Sequence, residues 1–190
     1  MKTAKNNSRA AWPKRLGIDI GRVIINGGGA DTTFFGRSED EALRLTPGVP
    51  DAFESIATLV DRFDRRVFLV SKCGERIQRR SMAWLDHHEF WAKTGLPREQ
   101  VRFCRQRRDK AIHARKLGLT HFVDDRFDVL IHLIDLVDHL YLFGPQKQRD
   151  ARVDPRLERM TATKTWPAVL EAIEAALASG RGGRAERVSA

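Results

Sequence analysis

Five short apolar runs, each followed by polar or glycine-bearing residues and separated from the next by a helical pattern, constrain this chain more than any other feature. They are "RLGIDI", "RVFLVS", "VRFC", "THFVDD" and "HLYLFG". Between them, "GVPDAFESIATLVDRF" places Val49, Phe53, Ile56, Ala57, Leu59 and Val60 near one helical face. "ERIQRRSMAWLDHHEFW" spaces Ile77, Met82, Trp84, Leu85 and Phe90 at helical intervals, and "DKAIHARKLGL" does the same with Ile112 and Leu117 before Gly118 stops it. "FDVLIHLIDLVD" and "TWPAVLEAIEAALASG" read as the last two helices. Strands alternating with helices need a mainly parallel sheet covered on both faces. The expected fold class is therefore α/β, a three-layer Rossmann-like parallel sheet.

A length of 190 residues with 42% hydrophobic content suits one domain. We place it at residues 14–178, with a flexible basic N-terminus at 1–13 and a disordered tail at 179–190. No apolar run approaches the length of a membrane span and the N-terminus lacks a secretory apolar segment, so a cytoplasmic protein without a membrane partner is expected. Cys73 and Cys104 match no zinc or redox spacing and read as reduced thiols. Of the formal charge of +9, much sits at the two ends and in "REQVRFCRQRRDK". A basic surface of that kind attracts polyanions at long range.

In parallel sheets the ligand lies beyond the carboxyl ends of the strands. Strand ends deliver Asp19, Ser71, Asp124 and Asp125 to one edge, and Lys110 opens the helix before the fourth strand. Carboxylates from separate strands are costly to crowd together without a cation, which points to a hard oxygen-seeking ion such as Mg²⁺. A serine, a lysine and the amides of a helix starting near Gly74 in "SKCGE" suit a phosphate beside that ion.

The order Asp-x-Gly-x-Val at Asp19–Val23, then Ser71, Lys110 and Asp124-Asp125, resembles the four motifs of the haloacid dehalogenase superfamily of phosphohydrolases over residues 14–178. "TPGVPDAFESI", "VFLVSK" and "KAIHARKLGLTHFVDD" also look like its pyrimidine 5'-deoxynucleotidase branch. The resemblance implies a Mg²⁺-dependent phosphomonoesterase acting on a nucleotide or other small phosphoester through an aspartyl-phosphate. Asp19 would be the nucleophile, Ser71 would bind a phosphoryl oxygen, and Lys110 would neutralise charge. Asp19, the Gly21 carbonyl, Asp124 and Asp125 would hold the metal, with Asp128 as a helper. Gly21, Arg22, Lys72 and Arg108 are the expected substrate-binding positions. Such parts suit phosphoryl transfer, where positioning and charge neutralisation supply most of the catalysis.

Gly21 is the departure, because most phosphatases of this superfamily carry there an aspartate that protonates the leaving oxygen. That help is typically worth about 10²- to 10⁴-fold. Arg22, next in the chain, can supply positive charge but no proton at neutral pH. The alternative is a non-catalytic module of the same fold that binds a phosphorylated ligand, nucleic acid or partner protein. Too few residues separate the motifs for a large cap, leaving a small flap around 26–46, with Phe34 and Phe35 available to cover substrate. Arg98, Arg102, Arg105, Arg107 and Arg108 precede Lys110 and could guide a nucleotide or a nucleic-acid end toward Asp19. His87 and His88 read as a solvated helix end, and Trp84, Trp91 and Trp166 as core.

Overall fold

The structure, a computed structural model, describes residues 13–27, 34, 36–144 and 154–179. The chain order is β1 (Leu16–Ile18), α1 (Glu39–Arg44), α2 (Ala52–Arg62), β2 (Val67–Lys72), α3 (Glu75–His87), α4 (Phe90–Thr94) and β3 (Val101–Cys104). It continues with α5 (Lys110–Leu117), β4 (His121–Asp124), α6 (Phe127–Leu130), β5 (His139–Phe143), β6 (Met160–Thr163) and α7 (Trp166–Ala178). All strand pairs are parallel, in the order β3-β2-β1-β4-β5-β6. This is the α/β, Rossmann-like architecture expected from the alternating pattern. The sixth strand was not foreseen, because "MTAT" holds too few apolar residues to stand out from its surroundings.

Period-two alternation along the strands sorts the core into two layers. In β4, Val123 joins the cluster that packs under α2, α3 and α7, while Phe122 joins the one under α5 and α6. In β5, Tyr141 and Phe143 face the first layer, and Leu140 and Leu142 face the second. Helical spacing matches: α2 buries Ala52, Ile56, Leu59 and Val60, and α7 buries Trp166, Val169 and Ile173. Gly17 lets the central strands close up, since a Cβ there would lie 2.5 Å from the Phe122 ring.

Two expected helices are shorter than their apolar patterns. Glu89, with φ 57°, breaks the run after Trp84 into α3 and α4, and the segment after Leu130 continues as successive turns rather than as helix. Of the flap expected around 26–46, residues 28–33 lie outside the described residues. Ser38 caps α1 in a reciprocal arrangement with Glu41, and Phe34 is buried in the core. Phe34 is therefore taken up by packing and does not cover a ligand. Phe35 and most of the two chain ends lie outside the described residues. Among the described residues, no helix is long and apolar enough to cross a membrane.

Trp84 and Trp166 are wholly buried and Trp91 packs half-buried, as core residues should. His87 is exposed, whereas His88 is half-buried against Trp84 and contacts the Leu43 carbonyl through Nε2 at 3.0 Å. His121, at the start of β4 and away from the carboxyl edge, is fully buried. Its ring stacks on His139 at 4.5 Å and meets Phe63 edge-on, with Nδ1 2.8 Å from Thr120 Oγ1. Burial, with His139 and Lys14 nearby, lowers its pKa from 6.5 to about 3.

His121 is thus neutral in the fold and protonated in the unfolded chain below pH 6.5. The unfolded state then binds the extra proton, so this residue's contribution falls as pH drops from 6.5 toward 3. Unfolding His121→Phe and the parent protein in urea across that range isolates it. The variant should gain on the parent by up to about 1.4 kcal/mol per pH unit on acidification. Parallel profiles would remove His121 as a source of acid sensitivity.

Candidate active site

The strand order reverses direction between β1 and β4, and the candidate side chains converge beyond the carboxyl ends of those strands. Asp19 follows β1, its N–H donating to the Val123 carbonyl at 3.0 Å. Asp124 ends β4 and Asp125 follows it, so the Asp19 backbone is tied to the strand that carries the other two carboxylates. Lys110 begins α5, on the opposite face. Its ammonium lies 2.7 Å from Asp19 Oδ1 and 2.7 Å from Asp124 Oδ2, and it is 2% exposed.

Three buried carboxylates meet here. Asp19, Asp124 and Asp125 each offer an oxygen within 4.8 Å of the others. Lys110 bridges two of them, and Arg22 Nε stands 3.1 Å from Asp125 Oδ2. Burial works against the Lys110 charge, but Asp124 and Asp19 outweigh it and raise its pKa. Desolvation raises both Asp124 and Asp125, and repulsion from the neighbouring carboxylates adds to it. The cluster therefore gathers three carboxylates in a poorly solvated pocket, where further positive charge would stabilise their ionised forms. Oxygen donors at that separation fit a small hard divalent cation.

A cavity of about 240 Å³ opens on this cluster, lined by Asp19, Gly21, Arg22, Ser71, Lys72, Gly74, Arg107, Lys110, Asp125 and Arg126 among others. Ser71 sits near the end of β2, and α3 starts after Gly74, which caps that helix with no side-chain hydrogen bond. The amides of the first turn of α3 thus belong to a helix N-terminus placed at the cavity wall, a favourable place for an anion. Cys73 also lines the wall, and burial pushes its thiol up to about 12 and that of Cys104 to about 11, so neither is a nucleophile at neutral pH.

The loop after β1 is tightly braced. Ile24 and Ile25 donate to the Ile20 carbonyl, Arg22 donates to Ile25, and Trp166 Nε1 donates to the Val23 carbonyl at 2.7 Å. Within it Arg22 has φ 64°, a left-handed conformation. Gly21, which lines the cavity, has no positive φ, so its backbone does not require glycine.

The expected site residues lie at the cavity or in its acidic floor, with two exceptions: Asp128, and Arg108, which is exposed and lines no part of it. The tight turn Arg107–Asp109 sends successive side chains in different directions, so Arg107 takes the inward place. Arg126 was missed as well, although it directly follows Asp124-Asp125. Asp128 does not join the acidic cluster. It is a brace, with Arg126 Nε at 2.8 Å and Arg107 Nη1 at 3.5 Å, and those two cations hold its carboxyl below the usual range against the effect of burial. The arginines preceding it in sequence are mostly engaged locally: Arg98 with Asp86, Arg105 with Glu75, and Arg102 with the Glu99 and Val101 carbonyls.

No protein-family model matches the chain, and no curated protein shows significant similarity to it.

Lys110 is the counter-ion of a buried pair, so removing it leaves carboxylates uncompensated. Lys110→Met should lose about 3–5 kcal/mol of stability at pH 8 in urea unfolding. The deficit should shrink toward pH 5, where the folded variant takes up protons on those carboxylates. A variant as stable as the parent at pH 8 would show that the cluster is neutralised by other groups.

Proposed function

We propose that this chain is a Mg²⁺-dependent phosphoester hydrolase of the haloacid dehalogenase type, working through an aspartyl-phosphate on Asp19. The observation that carries the reading is the Lys110 ammonium held between Asp19 and Asp124 at a cavity that also receives a serine and a helix N-terminus. Asp19, the Gly21 carbonyl, Asp124 and Asp125 are the groups that would hold Mg²⁺, which when bound screens the repulsion between the carboxylate and an incoming phosphoryl group.

The protein's own groups account for the remaining steps. The Ser71 hydroxyl and the first amides of α3 donate to non-bridging phosphoryl oxygens, and Lys72 adds charge at the rim. Asp19 attacks the phosphorus, and Lys110 neutralises the charge shared between nucleophile and phosphoryl group. Lys110 also fixes the Asp19 rotamer before substrate arrives, which removes a reorganisation cost. A cavity of this volume suits a small phosphoester, and a nucleotide would extend past its mouth. Two free buried cysteines accord with a cytoplasmic setting.

The test is hydrolysis of p-nitrophenyl phosphate and of nucleoside monophosphates, with Mg²⁺ and with chelator, by the parent protein and Asp19→Asn. Turnover should require the metal and fall by at least about 10³-fold in the variant. A parent protein that turns over none of these probes, yet binds one of them, would favour a binding module for a phosphorylated ligand, nucleic acid or partner protein.

A further inference from the structure

Resting on that reading, we infer that the site is built for phosphoanhydrides rather than alkyl phosphates, and that the Arg22 guanidinium takes up the charge of the departing oxygen in place of a proton. Two adjacent positions carry the argument. Gly21 lines the cavity with no side chain, although its backbone does not require glycine. Arg22 carries a long side chain in the left-handed region, where side chains are disfavoured. Strain of this kind persists when the surroundings enforce it, and here the Arg22 N–H donates to the Ile25 carbonyl at 2.8 Å while Nε pairs with Asp125 at 3.1 Å. The guanidinium is thereby held at the cavity wall.

Proton donors are scarce there. Among the described residues lining the cavity there is no histidine, and the only carboxyl groups are those of Asp19 and Asp125. Asp19 is used as the nucleophile and Asp125 is engaged by Arg22. An alkoxide cannot leave readily without a proton, whereas a phosphate can. Cations, in contrast, are plentiful: Arg22, Lys72, Arg107, Lys110 and Arg126 all reach the wall, which suits a leaving group that carries negative charge of its own.

The step balances with water as the only other reactant. An Asp19 oxygen bonds to the terminal phosphorus, the bond from that phosphorus to the bridging oxygen breaks, and its electron pair stays on the bridging oxygen. That oxygen departs as part of a phosphate anion beside Arg22. Water then attacks the phosphorus of the aspartyl-phosphate, the bond to Asp19 breaks, and orthophosphate, the free carboxylate and a proton result.

The experiment measures kcat/KM with Mg²⁺ for inorganic pyrophosphate, acetyl phosphate, p-nitrophenyl phosphate and glycerol phosphate, in the parent, Arg22→Gln, Arg22→Lys and Gly21→Asp proteins. Both anhydrides should exceed glycerol phosphate by at least about 10²-fold in the parent. Arg22→Gln should lose about 10²-fold on pyrophosphate and less on p-nitrophenyl phosphate, with partial recovery in Arg22→Lys. Gly21→Asp should raise glycerol phosphate turnover selectively. Arg22→Gly, which the positive φ favours, replaces Arg22→Gln if that variant fails to fold. Glycerol phosphate turned over as fast as the anhydrides would overturn the substrate class while leaving the hydrolase reading intact. Anhydride turnover unaffected by Arg22→Gln would overturn the role of Arg22. Absence of turnover on every probe, with no phosphoenzyme after acid quench, would overturn the hydrolase reading itself.

Discussion

The arrangement of the whole carboxyl edge depends on one buried ammonium. Lys110 reaches from the first turn of α5 through the sheet edge to Asp19 and Asp124, at 2.7 Å from each. Desolvating a lysine and three carboxylates is expensive, and the mutual attraction offsets the cost only while the geometry is held. The fold supplies that geometry from three directions: β1 presents Asp19, β4 presents Asp124, and α5 approaches from the far layer. The Phe122 ring lies 5.8 Å from the Lys110 ammonium, and the same ring occupies the space left by Gly17. A single glycine in β1 thus connects the packing of the two central strands to the environment of the lysine between them.

Much of this was legible in the sequence because apolar runs and strand-end acids are local signals. Alternation of strand and helix patterns was enough to foresee the parallel sheet, and the rule that ligands gather at carboxyl ends was enough to place Asp19, Ser71, Lys110, Asp124 and Asp125 together. The misreadings share a physical cause. Phe34 lies in a stretch rich in glycine and polar residues that looks like a free flap, yet its ring is needed by the core, a tertiary demand that local composition does not reveal. β6 is a four-residue edge strand stabilised by pairing with β5, so its own residues carry little signal. Arg107 and Arg108 are equivalent in sequence, and only the turn that contains them decides which one faces inward.

Charge shows the same contrast between composition and structure. A formal +9 suggests a polyanion-binding surface, but the arginines of the central cluster are largely consumed by Asp86, Glu75, Asp128 and nearby carbonyls. Such exposed pairs contribute little to stability, and their effect is to localise the positive field. Of that cluster it is Arg107, braced by Asp128, that borders the cavity, where it joins Arg22, Lys72, Lys110 and Arg126. Positive charge is therefore spent where an anion would sit and screened elsewhere.

The hydrogen bond from Trp166 to the Val23 carbonyl joins residues 143 positions apart. The loop that holds Gly21 and Arg22 is therefore synthesised well before its brace. A nascent chain cut off between β6 and α7 would contain every charged group of the cavity but would lack the indole that fixes their loop. The loop after β1 thus gains this brace only when α7 arrives, after every charged group of the cavity has been made.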